Sequence, residues 1–158
     1  MFALTIWQPW AAAIAHGPKR IENRQWAPPL THVGQRIAIH AGKSYDPQWN
    51  GRSVYELGIT PDQALPWTGF FVALATLGGW VTTTGDYCLD GMPVQKRRAA
   101  LEAANNDKFF VGPVGWVLTD VVALAMPIRA SGAQRLWRVE PHDEVLLRAQ
   151  DKGGNDAG

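Results

Sequence analysis

A helix cannot run across Gly17-Pro18. Trp10 to His16 is mostly alanine with Ile14, a short helical stretch that begins after Pro9. A glycine followed by a proline ends it, because proline has no amide proton and its ring clashes with the preceding turn. The chain therefore leaves this helix through a turn, and the turn is charged: Gly17-Pro18-Lys19-Arg20-Ile21-Glu22-Asn23-Arg24, with Trp26 just beyond. From Ile21 an extended course puts Glu22, Arg24 and Trp26 on one face, since alternate side chains of a strand share a side. Lys19, at the head of that strand, brings an ammonium to the same wall. The plain reading is a surface ion pair of Lys19 or Arg24 with Glu22, worth little; the other is a wall built to meet a ligand.

The rest of the chain alternates short apolar runs with turn residues. Phe2 to Trp7 reads as a first strand, and Gln35 to Ala41 as a second, buried one with Ile37 and Ile39 on one face. Asp46-Pro47 is a helix start for a segment reaching toward Leu57. Gly69 to Leu77 is a central strand that continues past Gly78-Gly79 through a bulge into Trp80 to Thr84. Pro93 to Asn105 is the clearest helix, with Val94, Arg97, Leu101 and Ala104 at helical spacing. Phe109 to Val111, Gly115 to Leu124 and Leu136 to Val139 supply the last strands. The expectation is one α+β domain over residues 1–143 and a C-terminal extension, 144–158, that ends in a disordered tail from Lys152.

Composition excludes several classes. The 46% hydrophobic fraction contains no run long enough to span a bilayer, and no basic segment precedes an apolar stretch at Met1-Phe2-Ala3-Leu4, so a soluble, cytoplasmic protein without membrane partners is expected. Cys88 is the single cysteine, which rules out an internal disulfide and suits a reducing compartment. His16, His32, His40 and His142 lack metal-ligand spacing, and no phosphate loop, dinucleotide fingerprint or zinc deaminase pattern occurs, so neither metal nor cofactor is expected. The net charge of +1 hides an uneven distribution: residues 1–45 carry five Lys and Arg against one acid, and residues 93–140 carry seven against four. A basic face on a nearly neutral chain is a footprint for phosphate.

Leu4-Thr5-Ile6-Trp7-Gln8-Pro9-Trp10, then Gly17-x-Lys19-x-x-Glu22-x-Arg24, then Ile37-Ala38-Ile39-His40-Ala41 resemble the ASCH family of the PUA-like superfamily, whose hallmark is a G-x-K-x-x-E-x-R motif. Gly115 to Asp120 and Gly132 to Val139 are similar to its closing strands. The resemblance implies a small, partly closed PUA-like β-barrel of five to seven short strands with two or three helices around it. It also implies association with RNA or DNA.

On that reading Trp10 or Trp26 stacks a single nucleotide, plain or modified, Gln8 and Asn23 read its edge, and Lys19, Arg24 and Lys43 hold its phosphates, with His40 near the same pocket. Trp116 and Trp137 are read as packing. Some proteins of this family are amidohydrolases on an acylated cytidine or cleave RNA, and the motif lysine implicated in that chemistry corresponds to Lys19. This chain has Glu22 where the amidohydrolase pattern has threonine. The enzymatic alternative is therefore a metal-independent hydrolase using Lys19, Glu22 and His40, with Lys43 as a further candidate. A protein-interaction module with a filled barrel mouth is the third alternative.

Overall fold

In the computed structural model, which describes residues 1–49 and 52–153, the short helix ends where glycine and proline require. The elements run β1 (Phe2–Gln8), α1 (Trp10–Ala15), β2 (Ile21–Arg24), β3 (Arg36–Tyr45), α2 (Pro61–Ala64), β4 (Phe70–Thr82), β5 (Tyr87–Cys88), α3 (Val94–Asn105), β6 (Val114–Arg129), β7 (Leu136–Arg138) and α4 (Pro141–Gly153). A side chain at Gly17 would put its Cβ 2.8 Å from the Leu57 carbonyl oxygen and 2.9 Å from that of Ala13, so close approach of backbone demands glycine there.

The strands hydrogen-bond in the order β2-β6-β4-β3-β1-β7, with β5 beside β4. The order is open, ending at β2 and β7. β1 pairs with β3 in parallel, Leu4 opposite Ile39, and with β7 antiparallel, Leu4 opposite Leu136. β2 and β6 are antiparallel, as are β4 and β5. The α+β class expected from the sequence is present among the described residues, as seven strands in an open order with four helices, compatible with the expected PUA-like plan though the barrel is not closed. Two strands are not short: β4 has 13 residues and β6 has 16. β4 continues through Gly78-Gly79, as expected, and its side chains are buried on both faces, which favours a continuous apolar strand. Among the described residues, no helix is long and apolar enough to cross a membrane.

The chain forms two compact units. The first comprises residues 1–18, 37–75 and 121–153. Its core gathers Ala3, Ala38, Phe71, Leu74, Leu124, Val139 and Leu147, with Trp137 packed against it. The second comprises residues 19–36 and 76–120 and is built around Ile21, Val81, Leu89, Ala104 and Val117, with Leu101 and Phe110 against them.

Three local expectations differ from the structure. Phe109 to Val111 is a loop, because the Asn23 side chain takes over its backbone groups: the amide donates to the Phe109 carbonyl (2.7 Å) and accepts from the N–H groups of Val111 (3.0 Å) and Gly112 (3.1 Å). The stretch after Asp46 forms separate 3-10 turns at Pro47–Trp49 and Val54–Leu57; residues 50 and 51, within the expected helix, lie outside the described residues. The expected boundary at 143/144 falls inside α4, which Pro141 opens and whose first turn carries Asp143 and Glu144 against the helix dipole. Of the expected tail, residues 154–158 lie outside the described residues.

Because Leu147 is fully buried in the first unit's core, Leu147→Ala should cost about 2–5 kcal/mol. Urea unfolding measures this; a loss below about 1 kcal/mol would mean that α4 contributes little to the core.

Candidate functional site

The charged motif is a buried ion ladder. β2 holds Glu22 so that its carboxylate lies 3.2 Å from the Lys19 ammonium and 3.3 Å from the Arg24 guanidinium. The Lys19 side chain is only 3% exposed and that of Glu22 only 11%. Lys19 also donates to the Ile21 carbonyl and lies 5.9 Å from the Phe109 ring centroid. Trp26 packs edge-on against Trp116 at 4.8 Å, and its carbonyl accepts the Trp116 indole N–H at 2.8 Å. Asn23 is committed to the 109–112 loop. The expected common face of Glu22 and Arg24 is present, but these groups chiefly satisfy one another.

In the first unit, Gln8 is fully buried and occupied: its amide donates to the carbonyls of Ala64 (3.0 Å) and Trp67 (3.5 Å), and its oxygen accepts the Ala12 N–H (3.0 Å), which anchors α1. Trp10 donates to Asp46 at 2.7 Å and meets Trp49 edge-on at 5.0 Å. The amide of Gln8, expected to read a base edge, is thus hydrogen-bonded within the fold, as is the indole N–H of Trp10.

His40 is the centre of a relay. Its Nε2 lies 3.0 Å from the Ala130 carbonyl, and because a carbonyl only accepts, Nε2 carries the proton. Nδ1 then accepts from the Thr5 hydroxyl at 3.4 Å, and that hydroxyl accepts the Trp137 indole N–H at 3.0 Å. The imidazole contacts the Phe71 and Trp137 rings at 5.5 and 5.7 Å. A Cβ at Gly132 would lie 2.6 Å from the His40 ring, so the backbone can pass there only as glycine. Burial holds His40 below the usual histidine pKa, against the smaller raising effect of its bond to Ala130.

Ala130 and Trp137 line a cleft of about 550 Å³ whose rim carries Lys43, Arg129, Arg138 and Ser131. Arg129 lies over the Phe70 ring at 5.2 Å and Arg138 over Phe2 at 5.1 Å, so aromatic faces hold both guanidinium groups. Among the described residues, Lys43, Arg129 and Arg138 have no carboxylate at ion-pair distance. The cleft also contains Glu140, His142 and Asp143, the last two joined at 3.0 Å. Another cavity of about 580 Å³, lined by Tyr45, Trp49, Arg52, Tyr55 and Leu65, is largely apolar. Its one cation is committed, with Arg52 stacked on Trp49 at 3.9 Å and bonded to Glu56 at 2.9 Å.

Of the residues nominated from sequence, Lys19, Glu22 and Arg24 come together in the second unit, whereas His40 and Lys43 belong to the first unit's cleft or its supporting layer. Sequence reasoning did not nominate Arg129, Ser131, Arg138 or Glu140 and assigned Trp137 to packing alone. The signal was the positive balance of residues 93–140.

The ASCH domain family model matches residues 4–103, and the chain belongs to that family. No curated protein matches it. A solved structure similar to it is that of a mutant of the ZmASCH protein from Zymomonas mobilis, with 18% identity, a TM-score of 0.49 and 94% of each chain covered.

Two outcomes follow from these geometries. Glu22→Ala removes the carboxylate shared by two cations and should cost about 3–5 kcal/mol in urea unfolding; a loss below about 1 kcal/mol would return the motif to the class of surface pairs. The lowered pKa of His40 means that the unfolded chain takes up a proton near pH 6.5 while the folded chain does not. Its stabilising contribution is therefore present above pH 6.5 and declines as pH falls from there toward the folded pKa. His16, also lowered by burial, acts in the same window. His40→Gln should flatten the stability profile between about pH 7 and 5 more than His16→Gln does; an unchanged slope would assign the loss to other groups.

Proposed function

We propose that the chain binds single-stranded nucleic acid, RNA foremost, through the cleft of the first unit. The observation that carries this reading is the set of cations lining one cleft, Lys43, Arg129 and Arg138, without carboxylate partners among the described residues and together with Trp137. Three such charges suit the phosphates of adjacent nucleotides, and arginine's planar fork suits phosphate oxygens in particular. Trp137, stacked on Phe71 at 5.6 Å, offers a rigid ring for an unstacked base. The cleft admits one or two unstacked residues rather than a duplex groove, which favours single strands. Membership of a PUA-like family often linked to RNA supports the same reading. The motif contributes as scaffold in the second unit, and Lys19 and Glu22 have no part in contacting the strand.

Fluorescence anisotropy of a labelled single-stranded RNA nonamer across a salt series tests this. Affinity should fall with salt, and Lys43→Ala or Arg129→Ala should each weaken binding about three- to tenfold and reduce the salt slope by about 0.7. Lys19→Met, corrected for its fraction folded, should leave the slope intact. Absence of salt-dependent binding, or a slope that changes only with Lys19, would overturn the reading.

A further inference from the structure

We infer that the cleft prefers guanine, with the Glu140 carboxylate as the group that reads the base; this rests on the nucleic-acid reading above. The starting point is the distribution of charge inside the cleft. Asp143 is buried and joined to His142 at 3.0 Å. Arg138, two residues before Glu140, is held over the Phe2 ring. Glu140 is exposed, lines the cleft, and among the described residues its carboxylate has neither an ion pair nor a hydrogen bond.

A carboxylate among phosphate-binding cations weakens phosphate binding unless it faces a part of the ligand that donates. Glutamate has only acceptors to offer when ionised, two oxygens side by side. A partner with two parallel N–H donors satisfies both, as the arginine fork does. Among the RNA bases only guanine presents such a pair, N1–H and the N2 amino group. Adenine and cytosine place a ring-nitrogen acceptor beside their amino group, and the single N3–H of uracil lies between two carbonyls, so each sets at least one acceptor against the carboxylate. Trp137 cannot supply this discrimination, because its indole N–H is already given to Thr5 and its ring stacks on any base. The cations select for the backbone, which all nucleotides share. Thr68, Ser131 and His142 also line the cleft, but none of them offers two acceptors side by side, so the choice of guanine is assigned to Glu140.

The test uses labelled nonamers of uridine whose central residue is guanosine, inosine or uridine, with anisotropy read at fixed salt. The guanosine oligomer should bind about tenfold tighter than the all-uridine one, and inosine, which lacks the N2 amino group, should lose most of that gain. Glu140→Gln should erase the guanosine preference while uridine binding stays level or improves, since a negative charge has left the cleft. Thermal melting of the variant confirms that this exposed substitution leaves the fold intact. Equal affinities for guanosine and uridine in the wild type, or a preference that survives Glu140→Gln, would overturn the inference while leaving nucleic-acid binding in place. Failure of every oligomer to bind in a salt-dependent way would overturn both.

Discussion

An imidazole buried edge-on against the stacked pair of Phe71 and Trp137 is tolerable because both of its nitrogens are met. Nε2–H donates to Ala130, and Nδ1 accepts from Thr5, which in turn accepts from Trp137. These bonds tie β1, β3 and the strand β7 to the segment that follows β6, and they fix the wall of the cleft. The same requirement reaches Gly132, where any side chain would strike the ring. The cleft's precision thus comes from a polar relay inside an apolar core, an arrangement that is rigid when every member is satisfied and costly when one is not.

The second unit solves a related problem with charge. Lys19, Glu22 and Arg24 are spaced to form a ladder on β2, and burial raises its structural stakes above those of an exposed pair. Each cation that Glu22 engages is drawn away from solvent and ligand. The motif that is easiest to notice in the chain is thus ion-paired within itself, while the cations that line the cleft come from other elements.

Aromatic rings divide the work in the same manner. Trp116 and Trp26 satisfy each other within the second unit, and Trp10 is bound to Asp46 and Trp49 in the first. Phe70 and Phe2 are used from their faces, as platforms that orient Arg129 and Arg138. A guanidinium held on a ring has fewer conformations to lose in any further contact than one free in water. Trp137 is both core residue and cleft wall, since one face packs on Phe71 while the residue still lines the cleft.

Local chemistry was readable from the residues alone: the helix stop at Gly17-Pro18, the strands around Ile37 to Ala41 and Gly69 to Leu77, the helix after Pro93, and the pairing of Glu22 with its cations. These depend on neighbours within a few positions, where proline, glycine and alternation act directly. Asn23 could be seen as a polar residue near the motif but not as the group that keeps Phe109 to Val111 out of a strand, because its partners lie 86 to 89 positions along the chain, outside the reach of any local rule. Gln8 and His40 looked available to a ligand, yet the core consumed their hydrogen bonds. The cleft itself, lined by Lys43, Arg129, Arg138 and Glu140, was decided by tertiary structure alone. Pairing across the sheet brings distant positions together, and burial then determines which polar groups are spent on the fold and which remain for a partner.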